Sequence, residues 1–396
     1  MSRLAIGIAA ALVLSVTLGP VPAHASPHWS PLQLMRDSIC GPWTVVKGPR
    51  PSHNDFLYAV NADTPSDVWV VGSLEEPGVA GPFRTLAERW DGSAWHVILP
   101  QNTGTGDNDL YGVTVVSSND VWAVGRSNKT QSSTPRPLIE MWNGARWRIV
   151  PSPILGQQSW LGSIRAFSAD DIWASGVYAD FSGNYRTLIE HWNGHVWSVV
   201  PSPNPGATFD SVGEFAASAP NDIWAFGSQS NDNENTTQTL IEHWDGHAWS
   251  VVPSPSPGSL YNGLADGTFV SGSDVWAVGG ITGSDFIQRT LVEHWNGSVW
   301  SAVPSPNNGA GGNALYSVVA RGPSDIWAAG SYFAEPEIRR TLVEHWSGSR
   351  WQLDFSPNPG GQYDGFTAIT ATSKGLWAVG GYDEHGDGLT LTESHC

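Results

Sequence analysis

The amino-acid sequence predicts an all-β fold, a seven-bladed β-propeller with four antiparallel strands in each blade. The first observation is a motif, Asp-(Val/Ile)-Trp-(Ala/Val)-x-Gly, which recurs at a period near 51 residues. A repeat of about 40 to 50 residues built from short strands is typical of propeller blades. The tryptophans of the seven copies are Trp69, Trp122, Trp173, Trp224, Trp276, Trp327 and Trp377.

A second motif follows the first by about twenty residues and predicts a β-hairpin. In residues 187–203 it reads as a strand, the pair Asn193-Gly194, a second strand and a proline stop. Asn-Gly between apolar runs favours a two-residue type I′ turn, which needs positive φ at both central residues. The tryptophans that precede these turns are Trp90, Trp142, Trp192, Trp244, Trp295 and Trp346.

Each full repeat holds four candidate strands. In the second repeat they cover residues 110–117, 120–126, 136–143 and 146–151. Continuous apolar runs such as Trp-Ala-Val indicate sheets that are covered on both faces, as blades are by their neighbours. We expect the seven first strands to begin near Phe56, Leu110, Leu161, Ser211, Tyr261, Leu315 and Asp364.

The two ends of the repeat region complete each other. Residues 42–47 match the last strand of a repeat with nothing before it, and residues 390–396 match a third strand with nothing after it. We therefore expect the N-terminal strand to complete the last blade and close the ring. Cys40 and Cys396 fall at this seam, and we expect them to form a disulfide.

The N-terminus predicts export. Residues 1–25 combine Arg3, an apolar run and an Ala-x-Ala site, as a secretory signal peptide does. Residues 26–39 read as an N-terminal extension, and residues 40–396 as the propeller. No later apolar run is long enough to span a membrane, so we expect a secreted, extracellular protein.

The charge balance bears on partners. The chain carries 19 Lys and Arg against 37 Asp and Glu, a formal net charge of −18. Such a surface repels phosphate backbones, so we expect no nucleic-acid partner. We expect a monomer whose partner is a glycan or a protein surface.

The motifs resemble known families. Asp-Val-Trp-Ala-Val-Gly and Glu-His-Trp-Asn-Gly units look like those of secreted bacterial Trp-rich propellers, and are similar to tectonin and tachylectin-type lectin repeats. The resemblance covers residues 40–396 and implies glycan binding in or between blades. The period also suits kelch-like propellers, although their Gly-Gly doublet is not kept. A galactose-oxidase-like member would imply copper, which no Tyr/Cys/His constellation here supports.

Polar residues that recur once per blade read as structural, because a catalytic group is not needed seven times. The histidines are His191, His243, His294 and His345, and being one per blade they cannot share a metal. The aspartates of the first motif are Asp67, Asp120, Asp171, Asp222, Asp274 and Asp325, with Gly375 in the last copy. The glutamates are Glu88, Glu140, Glu190, Glu242, Glu293, Glu344 and Glu393.

We expect no cofactor. The loops at 231–235 and 383–387 offer oxygen ligands suited to Ca²⁺, but neither has the spacing of an EF-hand. A solvated polar loop is the interpretation we favour for both.

An aromatic residue opens each first strand and predicts a collar at one rim of the channel. Sugars stack on aromatic faces, so the collar is a candidate ligand-binding site. The alternative is that each ring packs against the next blade. The seven residues are Tyr58, Tyr111, Trp160, Phe209, Tyr261, Tyr316 and Tyr363.

Two carboxylates, Glu214 and Asp266, interrupt an otherwise small and uncharged channel register, and Arg165 lies two residues beyond the same register in the third repeat. Two inward carboxyls beside an arginine are a candidate catalytic set for a glycoside hydrolase or polysaccharide lyase. The alternative is that Arg165 pairs with Glu214 and ties blade three to blade four. The regularity of the repeats favours a non-catalytic glycan- or surface-binding propeller, with the enzyme and a structural envelope or matrix protein as alternatives.

Overall fold

The computed structural model describes residues 41–76, 81–231 and 236–396. Within these residues every regular element is a β-strand and there is no helix. Each repeat contributes four antiparallel strands in which consecutive strands are neighbours, and a parallel bridge between Tyr185 and Phe209 joins repeats 3 and 4 into one sheet. The signal peptide, the N-terminal extension and Cys40 lie outside the described residues.

The strands of the first three repeats follow one plan. Repeat 1 contains β2 (Asp55–Thr64), β3 (Asp67–Glu75), β4 (Phe83–Trp90) and β5 (Trp95–Val97). Repeat 2 contains β6 (Asn108–Ser117), β7 (Asp120–Ser127), β8 (Arg136–Trp142) and β9 (Trp147–Ile149). Repeat 3 contains β10 (Gln158–Ser168), β11 (Asp171–Ala179), β12 (Tyr185–Trp192) and β13 (Trp197–Val199).

The next three repeats keep that plan. Repeat 4 contains β14 (Phe209–Ala219), β15 (Asp222–Ser230), β16 (Gln238–Trp244) and β17 (Trp249–Val251). Repeat 5 contains β18 (Tyr261–Ser271), β19 (Asp274–Thr282), β20 (Gln288–Trp295) and β21 (Trp300–Ala302). Repeat 6 contains β22 (Asn313–Gly322), β23 (Asp325–Glu335), β24 (Ile338–Trp346) and β25 (Trp351–Asp354).

The last sheet draws on both ends of the chain. It contains β26 (Asp364–Thr372), β27 (Gly375–Glu384), β28 (Asp387–His395) and the N-terminal β1 (Thr44–Val45). β1 pairs antiparallel with β28, Thr44 opposite Ser394 and Val45 opposite Glu393. Cys396 is exposed just beyond β28, and its disulfide with Cys40 stays a prediction because Cys40 is not among the described residues.

Tryptophans join each sheet to the next. In every repeat except the sixth, the second-strand tryptophan packs against the two tryptophans that flank the hairpin of the following repeat. Trp327 of repeat 6 contacts Trp43 and His395. Trp69 lies 5.6 Å from Trp142 and 5.5 Å from Trp147, ring centre to ring centre. Trp377 of the last repeat lies 5.2 Å from both Trp90 and Trp95 of the first. Such aromatic contacts stabilise beyond the apolar area that they bury.

The motif glycine is required by a close approach of backbones. Each first strand carries a β-bulge at its middle. The motif glycine of the second strand lies against the backbone of the first strand just before that bulge. A Cβ on Gly227 would overlap the carbonyl oxygen of Ser211, and one on Gly72 would overlap that of Phe56. Only a residue without a side chain fits there.

The hairpin turns differ from the predicted type I′ geometry. Positive φ occurs at the glycine alone, for example 86° at Gly144, and not at Asn143 before it. The Asn143 side chain instead accepts hydrogen bonds from the backbone N–H groups of Ala145 and Arg146, at 3.1 and 3.0 Å. This side-chain bonding replaces the second positive φ that a type I′ turn needs.

Among the described residues no helix is long and apolar enough to cross a membrane.

Candidate functional site

The first strands of the repeats surround a channel. Each contacts the first strand of the next repeat, and β26 also contacts β2. A cavity of about 280 Å³ lies between them and is lined by residues from all seven. Small residues such as Ala59, Gly112 and Ser317 form much of the wall, and Arg165, Glu214 and Asp266 are its charged members.

The structure brings the three predicted charged residues to one side of this channel. Glu214 lies on the bulge of β14, where two residues between Val212 and Phe215 are skipped in the pairing with β15. Asp266 lies on the equivalent bulge of β18. Arg165 lies two residues beyond the corresponding position on β10. The neighbouring strands therefore direct all three into the same cavity.

The two carboxyls have different partners. Glu214 accepts a hydrogen bond from the Ser163 hydroxyl of the preceding repeat. Asp266 accepts from the Ser317 hydroxyl and the Val318 N–H, both at 2.8 Å, and from the Gly267 N–H at 2.6 Å. Asp266 is thus bound on both oxygens.

Enclosure in the channel changes the ionisation of this cluster. Burial raises the pKa of the Glu214 carboxyl, and the nearby Asp266 raises it further. Burial also raises the pKa of Asp266, although its hydrogen-bond donors oppose that effect. Burial lowers the pKa of the Arg165 guanidinium. The arrangement therefore favours Glu214 as a proton donor and Asp266 as the carboxyl that ionises first.

Arg165 does not form the ion pair with Glu214 that was the structural alternative. Among the described residues no carboxylate lies within ion-pair distance of its guanidinium, which donates to the Ala217 carbonyl at 3.4 Å. It still connects repeat 3 to repeat 4, but through the backbone. Arg165 lines the channel cavity and keeps part of its surface accessible there.

Sequence reasoning missed a set of side chains that bridge the first strands. The innermost strand of each sheet has no further strand on the channel side, so some of its N–H groups lack partners in the sheet. Asn61 accepts from the Val115 N–H at 3.0 Å, and Thr114 accepts from the Ala166 N–H at 3.2 Å. The sequence feature that could have revealed these side chains is a polar residue two positions after the bulge of the first strand.

The seven predicted collar residues do not share one environment. Trp160 is 8% exposed and Phe209 7% exposed, and both pack against Tyr185 between repeats 3 and 4. Their faces are covered by protein. Tyr261 is the most exposed of the collar, at 39%. None of the seven lines the cavity itself, because each precedes the lining residues along its strand.

The five tyrosines form a cluster at one rim of the channel, which we call the tyrosine rim: Tyr58, Tyr111, Tyr261, Tyr316 and Tyr363. The rings of Tyr58 and Tyr111 are 5.3 Å apart. Burial, and then the nearby Asp109, raises the pKa of Tyr58 to about 12. The Tyr58 hydroxyl therefore stays protonated.

Two arginines belong to the tyrosine rim. Arg126 lies 5.9 Å above the Tyr111 ring and donates to Asp109 at 2.8 Å. Arg339 lies 5.6 Å above the Tyr363 ring and donates to the Tyr316 hydroxyl at 3.4 Å. The rim combines ring faces, hydroxyl groups and cations.

Each of the four repeated histidines contacts the motif aspartate of its own repeat, which supports a structural role. In repeat 3, His191 lies 2.8 Å from the Asp171 carboxylate, which also accepts from the Trp173 indole at 3.1 Å. Repeats 5 and 6 contain the same three-residue contact. One aspartate carboxylate thus serves as hydrogen-bond partner for both a tryptophan and a histidine of the same repeat.

The acidic loop at 383–387 is occupied by protein contacts. Asp383 accepts from the N–H groups of Gln362 and Tyr363, and Glu384 pairs with Arg50 at 2.6 Å. Most of the loop at 231–235 lies outside the described residues. Among the described residues no group of three or more His, Cys, Asp or Glu side chains is placed to hold a metal ion.

Comparison with known proteins shows the fold and no family. No protein-family model matches the sequence, and no curated protein matches it. Among solved structures, YCF48 bound to D1 peptide is similar at a TM-score of 0.54 and 15% identity, covering 90% of this chain and 97% of that one.

Two carbohydrate-active enzymes are also similar in structure. A PL25 ulvan lyase bound to a GlcA–Rha3S saccharide has a TM-score of 0.56 at 8% identity, covering 84% of this chain and 90% of that one. The GH74 xyloglucanase from Xanthomonas campestris has a TM-score of 0.54 at 12% identity, covering 88% of this chain and 55% of that one. These likenesses show a β-propeller-like fold.

Proposed function

We propose that this chain is a secreted, non-catalytic binding protein, a seven-bladed propeller that recognises glycans through its tyrosine rim. The pairing of β1 with β28 and the contact of Trp377 with Trp90 and Trp95 support a closed ring. The resemblance to tectonin and tachylectin-type repeats supports the glycan as ligand.

The observation that carries this proposal is the asymmetry of the rim. The tyrosine rim occupies repeats 5, 6, 7, 1 and 2, whereas the aromatic residues of repeats 3 and 4 are buried. A purely structural collar would follow the symmetry of the repeats. Aromatic rings with hydroxyl groups at their edges are suited to stack on a sugar ring and to bond its hydroxyls.

Tyr261→Ala and Trp160→Ala should separate binding from stability. We expect Tyr261→Ala to weaken binding of a neutral oligosaccharide about tenfold, the loss of one aromatic contact. Its melting temperature should change by a few degrees at most. Trp160→Ala should instead lower the free energy of unfolding by about 3–5 kcal/mol, as for a buried tryptophan.

The measurements are calorimetric titration with the hits of a glycan array and thermal unfolding of each variant. Neutral-sugar binding should tolerate high salt, because stacking does not depend on charge. A Tyr261→Ala protein that binds every array hit as tightly as wild type would contradict the role of the rim. A wild-type protein that binds no glycan would overturn the proposed function.

A polysaccharide lyase or glycoside hydrolase is the second candidate, and the channel cluster favours it. Glu214 with a raised pKa beside Asp266 provides a proton donor and a carboxylate, and Arg165 is free to neutralise an acidic sugar. Carboxyls about 5–5.5 Å apart serve retaining hydrolysis, and about 6.5–9.5 Å serve inversion.

Glu214→Gln and Asp266→Asn test this candidate. If the channel is catalytic, we expect each variant to lose at least about a hundredfold in kcat on a polysaccharide that wild type cleaves. Reducing-sugar release and absorbance at 235 nm distinguish hydrolysis from elimination. Asp91→Asn, at an exposed hairpin turn away from the channel, is the matched control. Full activity in both carboxyl variants, or no cleavage by wild type of any polysaccharide tried, removes the enzyme candidate.

A further inference from the structure

Arginines near the tyrosine rim are mostly neutralised by a buried carboxylate. These pairs connect one repeat to the next or a second strand to a first strand, and their carboxylates are almost fully buried. The pairs are Arg126–Asp109 at 2.8 Å, Arg186–Asp210 at 2.9 Å and Arg340–Asp364 at 2.6 Å.

Arg339 is adjacent to one of these arginines in sequence and has a different environment. Its guanidinium lies 5.1 Å from the centre of the Phe333 ring and 5.6 Å from that of Tyr363. It donates to the Tyr316 hydroxyl at 3.4 Å. Among the described residues it forms no ion pair, and its buried Nε has no hydrogen-bond partner.

Arg339 differs from these three paired arginines, although acidic residues are abundant in this chain. The protein has 37 acidic and 19 basic residues, so a carboxylate is the commonest partner an arginine could meet. Arg339 is held instead by aromatic rings, and among the described residues its Nε–H meets no acceptor. A planar guanidinium matches a carboxylate, because two parallel N–H groups can bond its two oxygens.

The surroundings of Arg339 are suited to a sugar. Tyr316 and Tyr363 place hydroxyl groups beside the guanidinium, and Tyr261 lies next to Tyr316 with its ring partly exposed. A sugar ring stacked on Tyr261 would lie along the rim toward Arg339. The exposed ring of Tyr261, the tyrosine hydroxyl groups and the Arg339 guanidinium therefore follow one another across repeats 5, 6 and 7.

We propose that Arg339, with Tyr316 and Tyr363, binds the carboxylate of a uronic acid residue within an oligosaccharide held on the tyrosine rim. This subsite rests on the proposed glycan-binding function and names its ligand class. The guanidinium bonds the carboxylate, and the two tyrosine hydroxyls donate to the sugar oxygens beside it.

The net charge limits the size of the ligand. A long polyanion is repelled by the acidic surface, whereas a short uronate reaches Arg339 once that surface is screened. At physiological ionic strength the screening length is about 8 Å. Salt weakens the attraction between Arg339 and a carboxylate at hydrogen-bond distance far less than it weakens the repulsion from distant carboxylates of the protein. Trigalacturonate at about 150 mM salt is therefore the probe of choice.

The experiment is calorimetric titration of the full mature protein with four matched probes. They are trigalacturonate, its methyl ester, a sulfated trisaccharide and a neutral trisaccharide. The variants are Arg339→Gln and Arg136→Gln. Arg136 lies at the start of β8 and is not part of the tyrosine rim. It donates to the Gly156 carbonyl at 3.5 Å and leaves no carboxylate unpaired when changed.

We expect trigalacturonate to bind at least about tenfold more tightly than its methyl ester, the size of one charge-assisted contact. Arg339→Gln should remove that preference while keeping the affinity for the neutral sugar and the melting temperature. Arg136→Gln should behave as wild type. Preference for the sulfated sugar over trigalacturonate would overturn the uronate assignment.

The remaining outcomes separate this inference from the proposed function. Equal binding of acid, ester and neutral sugar refutes the uronate subsite and leaves glycan binding standing. An undiminished preference in Arg339→Gln also refutes it. Binding of none of the four sugars overturns both.

Discussion

The melting temperature of this protein should fall as the pH rises from 5 to 8. One glutamate in each repeat, on the third strand, is fully buried between sheets. Burial raises the pKa of Glu88, Glu140, Glu190 and Glu293 to about 8 and that of Glu393 to about 9. The same cause raises the pKa of the remaining two, Glu242 and Glu344.

The direction follows from proton linkage. The folded pKa lies above the unfolded value of about 4.3, so the folded state holds more protons between the two. The stability that these glutamates contribute is therefore fully present below about pH 4, and it is lost as the pH rises toward 8 or 9. One pKa unit corresponds to about 1.4 kcal/mol. Even a fraction of these pKa shifts, added over the seven glutamates, therefore lowers the free energy of unfolding by at least about 5 kcal/mol as the pH rises.

Neighbouring groups change the size of the effect and not its sign. Asp55 raises the pKa of Glu88 further, while the Gln101 N–H, at 2.7 Å, opposes the shift of Glu140. Differential scanning calorimetry from pH 5 to 8.5 measures the loss. Stability that rises with pH over this range would mean that the buried glutamates are ionised in the folded protein.

Glu344→Gln is the matched variant, because burial alone raises the pKa of Glu344. Glutamine resembles the protonated acid in shape and does not titrate. We expect this variant to equal wild type near pH 5 and to exceed it in melting temperature at pH 8.5. Exposed Asp91→Asn, on a hairpin turn, should not flatten the curve in this range.

Gly227→Ala should destabilise the protein by about 3 kcal/mol or more, at the upper end for an overpacked position. The added Cβ would overlap the carbonyl oxygen of Ser211 and press on the Val212 Cα. Both are backbone atoms beside the bulge that directs Glu214 into the channel, so neither moves without breaking the pairing of β14 with β15.

Gly272→Ala is the control for that substitution. Gly272 lies on the turn between β18 and β19, and a Cβ there has no atom within 4 Å. We expect its unfolding free energy to stay within about 0.5 kcal/mol of wild type, or to rise slightly. Chemical denaturation of both variants measures the difference. Equal stability of the two would show that the second strand can move away from the first.

Local patterns predicted the strands with little error. The predicted strands of the second repeat end within two residues of the observed ones, with the first strand beginning two residues earlier and the fourth shorter. Alternation of apolar runs with turn residues decides such elements locally. The predicted turn type was wrong because the Asn143 side chain bonds backbone N–H groups of the turn. The residue identities alone do not show whether this bonding or the type I′ geometry is the more stable.

The candidate site was predicted in part. Register counting placed Glu214, Asp266 and Arg165 on one channel, because the repeat gives each first strand the same orientation. The collar was predicted instead from an aromatic residue at the start of each first strand, and these seven residues stand at different distances from the bulge. Trp160 therefore turns into the sheet interface, whereas Tyr316 stays at the rim.

The amino-acid sequence by itself determined the period, the four-strand repeat, the glycine at the close approach and the tryptophans between sheets, because these depend on neighbours at constant spacing. Only the tertiary structure decided which charges are paired. Arg339 and Arg340 are adjacent in the chain, yet Arg340 meets Asp364 and Arg339 meets two aromatic rings. Successive residues of a strand point to opposite faces, and each face meets a different part of the neighbouring repeat.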